Sequence, residues 1–116
     1  MIVCAIDDLI FSVKISTAAK GLGVPLYFER SAGNLLAAVR EKQPSLVIFD
    51  LNSARLQPLA AIAAMKADPD LKATRTLGYV SHVDSATIEA ARQAGIDQVL
   101  ARSAFSERLA EILTTA

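Results

Sequence analysis

Apolar residues along this chain come in short unbroken runs, separated by longer stretches where they recur every three or four positions. The runs are Ile2 to Ile6, Pro25 to Phe28, Leu46 to Phe49, Leu77 to Val80 and the pair Val99-Leu100. A run without polar alternation marks a strand covered on both faces, and Leu46-Val47-Ile48-Phe49, the strongest, belongs at the centre of a sheet. Pro25 brings no N–H to a ladder, which suits a strand's first residue or a sheet edge. Between the runs the period is helical. Leu9 to about Lys20 is predicted as a helix with Phe11, Ile15, Ala18 and Leu22 on one face, and Gly21 and Gly23 as its terminators. Ser31 is placed to cap a second helix reaching about Lys42, with Leu35, Leu36 and Val39 inward. Pro58 opens a third, through Ala67, which Asp68-Pro69 ends. Asp84 or Ser85 caps a fourth that stops at Gly95. Ser103 leads into a last one with Phe105, Leu109, Ile112 and Leu113 buried.

Five strand–helix units in succession predict an α/β fold, a doubly wound five-stranded parallel sheet with helices on both faces. Right-handed crossovers bring the C-terminal ends of all its strands to one edge, where such sheets bind ligands. Asp7 and Asp8 follow the first run, Asp50 ends the third, Ser81 follows the fourth and Arg102 the fifth. Carboxylates gathered at one edge repel one another and raise each other's proton affinity unless a cation lies among them. An all-oxygen set suits a hard divalent ion, magnesium above all. Each residue also has a plainer reading. Asp7 and Asp8 can be helix caps, Asp50 a turn residue and Ser81 a loop residue.

With 116 residues the chain is expected to form a single domain, residues 1–116. Apolar residues make up 53% and the formal net charge is zero, which leaves no nucleic-acid or membrane surface built on bulk charge. Cys4 is the only cysteine and sits inside an apolar run, so it is read as a buried structural thiol. No stretch is long and apolar enough for a membrane span, and the N-terminus lacks the features of a secretory leader; the cytoplasm is the default expectation. The alanine-rich faces around Ala60-Ala61 and Ala90-Ala91 are expected to serve core packing, with a partner surface as the alternative.

Over essentially its whole length the chain resembles the receiver domain of bacterial two-component response regulators, a flavodoxin-like fold. Ile6-Asp7-Asp8 matches that family's acidic pair, Phe49-Asp50-Leu51-Asn52 its phosphoacceptor segment, Val80-Ser81 its hydroxyl position and Ala101-Arg102-Ser103 its usual Lys-Pro. The spacing is 42 residues from Asp8 to Asp50, 31 on to Ser81 and 21 on to Arg102, as the family's fold requires. The resemblance implies a signalling switch rather than a turnover enzyme. Asp50 would accept a phosphoryl group from a histidine kinase or phosphotransfer protein. Asp7, Asp8, Asp50 and the backbone carbonyl of Asn52 would hold Mg2+, while Ser81 and Arg102 would contact the phosphoryl oxygens. The partners it implies are that kinase, a downstream effector protein and a second copy of the chain as a homodimer, with neither direct nucleic-acid nor membrane binding.

Several positions depart from the family's pattern. Arg102 stands for lysine, Ser103 for proline, His82 for a small residue, Val99 for a common aromatic, and Asn52-Ser53-Ala54 lacks the common Met-Pro. A guanidinium is longer, planar and fork-shaped, so Arg102 either contacts phosphate or clamps Asp50 in a fixed ion pair. These departures keep open a pseudo-receiver, a phosphorylation-independent protein-interaction module. An aspartate-nucleophile phosphatase is disfavoured because Asn52 occupies the place of its second carboxylate.

Overall fold

The computed structural model describes residues 1–81 and 84–116. Five strands, β1 (Ile2–Ala5), β2 (Leu26–Phe28), β3 (Leu46–Asp50), β4 (Arg75–Val80) and β5 (Gln98–Ala101), form one parallel sheet in the order β2-β1-β3-β4-β5. This is the doubly wound five-stranded parallel sheet that the run pattern predicts, in the flavodoxin-like form that the resemblance implies. β3 lies at the centre and the strand order reverses between β1 and β3. The helices are α1 (Leu9–Leu22), α2 (Ala32–Lys42), α3 (Pro58–Ala67), α4 (Ser85–Ala94), α5 (Arg102–Glu107) and α6 (Leu109–Thr115). Each strand supplies both faces of the sheet. Ile2, Cys4, Leu46, Ile48, Leu77 and Tyr79 join Phe11 and Ile15 of α1 and Phe105, Leu109, Ile112 and Leu113 of α5 and α6. Val3, Ala5, Val47, Phe49 and Val80 pack with Leu35 and Val39 of α2, Ile62 and Met65 of α3 and Ala91 of α4.

Helix ends follow local chemistry. Asp8 caps α1 through Oδ1, which accepts the N–H of Phe11 at 3.0 Å. Asp84, not Ser85, caps α4, accepting the Ala86 N–H at 3.0 Å. Ser31 stands at the N-cap of α2 without a side-chain cap bond. The first helix runs through Gly21 and ends at Gly23, whose φ of 71° is the left-handed conformation glycine takes without steric cost. The N–H of Val24 then returns to the carbonyl of Ala19, and Val24 packs on the core in the manner of a Schellman end. That placement explains a correction. Leu22, expected to be buried, is 44% exposed because Val24 covers the end of the helix instead. The expected single last helix begins one residue early, at Arg102, and is interrupted at Arg108, although the Arg108 and Ile112 N–H groups still reach the carbonyls four residues back.

Gly78 of β4 has a packing reason. A Cβ there would lie 2.7 Å from the side chain of Leu51 and 2.8 Å from that of Ile96. Only a bare backbone lets Leu51, and with it the end of β3, settle against β4. Of the paired alanines, Ala91 is buried, Ala61 and Ala90 are half-buried and Ala60 is exposed. No helix among the described residues is long and apolar enough to cross a membrane.

Candidate functional site

The C-terminal edge of the sheet collects the residues that the sequence singles out. Asp50 is the last residue of β3, in register with Tyr79 of β4, and is only 9% exposed. It is carried there by an apolar strand buried along its whole length. Its Oδ1 accepts the Asn52 N–H at 3.0 Å, and it forms no ion pair among the described residues. Burial raises its proton affinity above the usual carboxylate range; the Asn52 N–H opposes this, Asp7 and Asp8 add to it, and Arg102 offsets part. Asp7 and Asp8 follow β1 and Asp50 ends β3, so all three belong to the edge at which the strand order reverses.

Asp8 is engaged on both sides. Oδ1 caps α1, and Oδ2 accepts Nη2 of Arg102 at 3.3 Å. The Phe11 N–H, together with Arg102, holds its carboxyl below the ordinary value in spite of partial burial. Arg102 opens α5 directly from β5, so its side chain returns over the edge. Nη1 donates to Ser81 Oγ at 3.4 Å, and the guanidinium carbon lies 4.2 Å from the centre of the Phe11 ring. The fixed ion pair with Asp50 is therefore not formed. The guanidinium is drawn across the Phe11 face, where Asp8 presents its open oxygen.

Ser81 is exposed just past β4. Its N–H donates to Oδ1 of Asn52 at 2.6 Å. The Asn52 side chain thus ties the end of β3 to the end of β4, while its N–H holds Asp50. The resemblance gives a role only to the backbone carbonyl of Asn52, and this side-chain bond is additional to it. The expectation about His82 falls outside the described residues. Val99 lies half-buried against the α4 side of the sheet.

Two aromatic residues, Tyr79 and Phe11, lie beneath the site. Tyr79 is 1% exposed, with its ring 4.9 Å from Phe11 and 5.1 Å from Phe105. Its hydroxyl has no hydrogen-bond partner among the described residues. Phe11, placed in the core by its helical period, also carries Arg102 on its ring. Nothing local in the sequence links residues 11, 79 and 102; only the crossovers bring them together. Cys4 is buried without a partner, which pushes its thiol up to about 12 and keeps it protonated.

The donor chemistry suits a hard cation, since Asp7, Asp8 and Asp50 offer carboxylate oxygens at one edge. The arrangement is less ready. Among the described residues no three acidic, histidine or cysteine side chains stand as a formed ligand group. Both oxygens of Asp8 already accept hydrogen bonds.

No protein-family model matches the sequence, and no curated protein matches it. The fold has close counterparts among solved structures. The phosphorylated cyanobacterial phytochrome response regulator RcpA superposes with a TM-score of 0.80 at 21% identity, covering 98% of this chain and 88% of that one. The Mn2+-bound form of response regulator Rcp1 gives 0.80 at 17% identity, over 99% and 95%. A response regulator from Hahella chejuensis gives 0.86 at 16% identity, over 97% and 91%. The chain therefore has the fold of response regulator receiver domains, and the resemblance in its motifs holds at the level of architecture.

Proposed function

We propose that this chain is a phosphoacceptor receiver domain of a two-component system, with Asp50 as the acceptor. One observation carries the reading. The buried central strand delivers a single, nearly uncompensated carboxylate to the switch point, with two further carboxylates and one cation around it. An Asp50 oxygen attacks phosphorus, the bond from phosphorus to the donor's nitrogen breaks, and an acyl phosphate remains on Asp50. A divalent cation bound by Asp7, Asp8, Asp50 and the Asn52 carbonyl would neutralise charge on the transferred group. Ser81 then donates its hydroxyl to a phosphoryl oxygen, which it does by leaving Arg102, and the loop after β4 follows. Arg102 supplies charge to the same oxygens.

Two of the structural counterparts support this reading, one solved in a phosphorylated state and one with Mn2+ bound. The partner is a histidine kinase or phosphotransfer protein, for which the exposed apolar residues Leu9, Ile10 and Val13 at the start of α1 offer a docking face beside Asp8. The output is an effector protein, a second copy of the chain, or both. The cytoplasm is the compartment this role implies.

The test is incubation with Mg2+ and beryllofluoride, or with a small phosphodonor, followed by intact mass and amide NMR shifts. Saturable change centred on Asp50, and its loss in Asp50→Asn, is the expected result. An unresponsive but folded protein at millimolar donor would leave the pseudo-receiver as the better account. That second reading draws on one observation, that Arg102 already holds both Asp8 and Ser81.

A further inference from the structure

Arg102 is the most heavily engaged side chain at this edge. Nη2 donates to Asp8 Oδ2 at 3.3 Å and Nη1 to Ser81 Oγ at 3.4 Å, while the guanidinium lies over Phe11 at 4.2 Å. Asp8 has its other oxygen fixed by the Phe11 N–H, so Phe11 supports both members of the pair, one through its backbone and one through its ring. A planar fork spans Asp8 and Ser81 at once, which a single ammonium at the end of a flexible stem does not do. Two cations cannot both sit close to one partly exposed carboxylate without repelling each other. The same side chain also lines a groove of about 430 Å3 between α1 and α5, with Ile10, Phe11, Lys14, Ser103 and Ser106.

We infer that Arg102 is an internal counter-cation gating this site: it competes with a divalent ion for Asp8, and its release from Asp8, Ser81 and Phe11 reshapes the groove between α1 and α5. Binding at the acidic edge is thereby coupled to a surface on the neighbouring helices, before any phosphoryl group arrives. The inference rests on the proposed function only in requiring that Asp7, Asp8 and Asp50 accept a cation; phosphoryl transfer is not needed. The gate sets a threshold, because the ion must displace a salt bridge and a cation–π contact as well as shed its own water.

The experiment is an MgCl2 titration without phosphodonor, at constant ionic strength, of the wild type, Arg102→Met and Arg102→Lys, followed by amide and arginine Nε–H NMR signals. The Met variant is expected to bind Mg2+ about fivefold more tightly than the wild type, the size of a lost exposed ion pair plus a cation–π contact. The Lys variant falls between them. In the wild type the Arg102 Nε–H signal, the Ser106 amide and the Asp8 amide move with one common midpoint. Equal Mg2+ affinity in all three proteins, or an Arg102 signal that stays still while Asp8 moves, overturns the gate and leaves the metal site standing. No saturable Mg2+ response in any of them overturns both. Should Arg102→Met fail to fold, the Lys variant and the wild-type arginine signal decide the matter between them. With no phosphodonor present, failure of Asp50 to become modified leaves these outcomes unchanged.

Discussion

Asp97 and Asp50 lie at opposite ends of the same sheet and have been treated by the fold in opposite ways. Asp97, just before β5, is about half exposed, yet its Oδ2 accepts the Thr76 N–H at 2.8 Å, the Thr76 hydroxyl at 3.0 Å and Lys66 Nζ at 3.0 Å. Lys66 also donates to the carbonyls of Lys72 and Thr74 at 3.3 and 3.1 Å. Partial burial works against ionisation of Asp97, but the Thr76 N–H, Lys66 and the Thr76 hydroxyl outweigh it and hold the carboxyl below its usual range. Asp50 is far more buried, accepts one hydrogen bond and has its proton affinity raised. A carboxylate surrounded by donors is architecture; it locks the start of β4 to the start of β5 and to α3. One buried with few donors is held in a state that an incoming cation or phosphoryl group can relieve.

The largest effect expected from this contrast is at the satisfied end. Asp97→Ala leaves the buried N–H and hydroxyl of Thr76 without their acceptor and should cost about 2–3 kcal/mol in urea unfolding. A loss below about 0.5 kcal/mol would break the comparison, since Asp97 would then be no more than a surface charge. The pH dependence has a definite sign. Because the folded-state pKa of Asp97 is lowered, its contribution is present above the unfolded carboxylate pKa and fades as pH falls through the folded value. The gap between wild type and Asp97→Ala should therefore narrow below about pH 4.

At the other end the sign reverses. The folded-state pKa of Asp50 is raised, so its ionised form costs stability as pH rises through that value. Asp50→Asn keeps the shape and the bond from the Asn52 N–H but removes the charge. It should stabilise the fold by on the order of 1 kcal/mol at neutral pH, with the gain vanishing below the unfolded carboxylate pKa. Matched urea melts at neutral and acidic pH read this directly, and a destabilised Asp50→Asn at neutral pH would erase the distinction between the two carboxylates.

The smallest effect sharpens how far the poorly satisfied polar groups extend beneath Asp50. Tyr79→Phe removes a buried hydroxyl without a partner among the described residues while keeping the ring between Phe11 and Phe105. Stability should hold or rise by about a few tenths of a kcal/mol. A loss of about 1 kcal/mol in the same melts would mean that the hydroxyl is engaged and that the poorly satisfied polar groups of this region stop at Asp50.

Much of the architecture was legible because its causes are local or cumulative. The runs Ile2 to Ile6 and Leu46 to Phe49 exceed what an exposed strand would carry, and a central place follows from that alone. Asp84 and Pro58 mark helix starts by chemistry that acts within one turn. Leu22 misled because the helical period places it inward, while a chain reversal at Gly23 let Val24 take the covering role. The pairing of Arg102 was not legible, for a longer-range reason. Its charge and its position after β5 were evident, but its choice of Asp8 over Asp50 depended on the ring of Phe11, far away in the chain.

The sequence alone determined that five apolar strands would line up and send Asp7, Asp8, Asp50, Ser81 and Arg102 toward one edge, because burial of those runs permits little else. Only the tertiary structure decided how those side chains share their charges. Pairing is governed by distances of a few ångströms and by the aromatic ring beneath the guanidinium, and both are set when crossovers bring α1, β3 and β5 together.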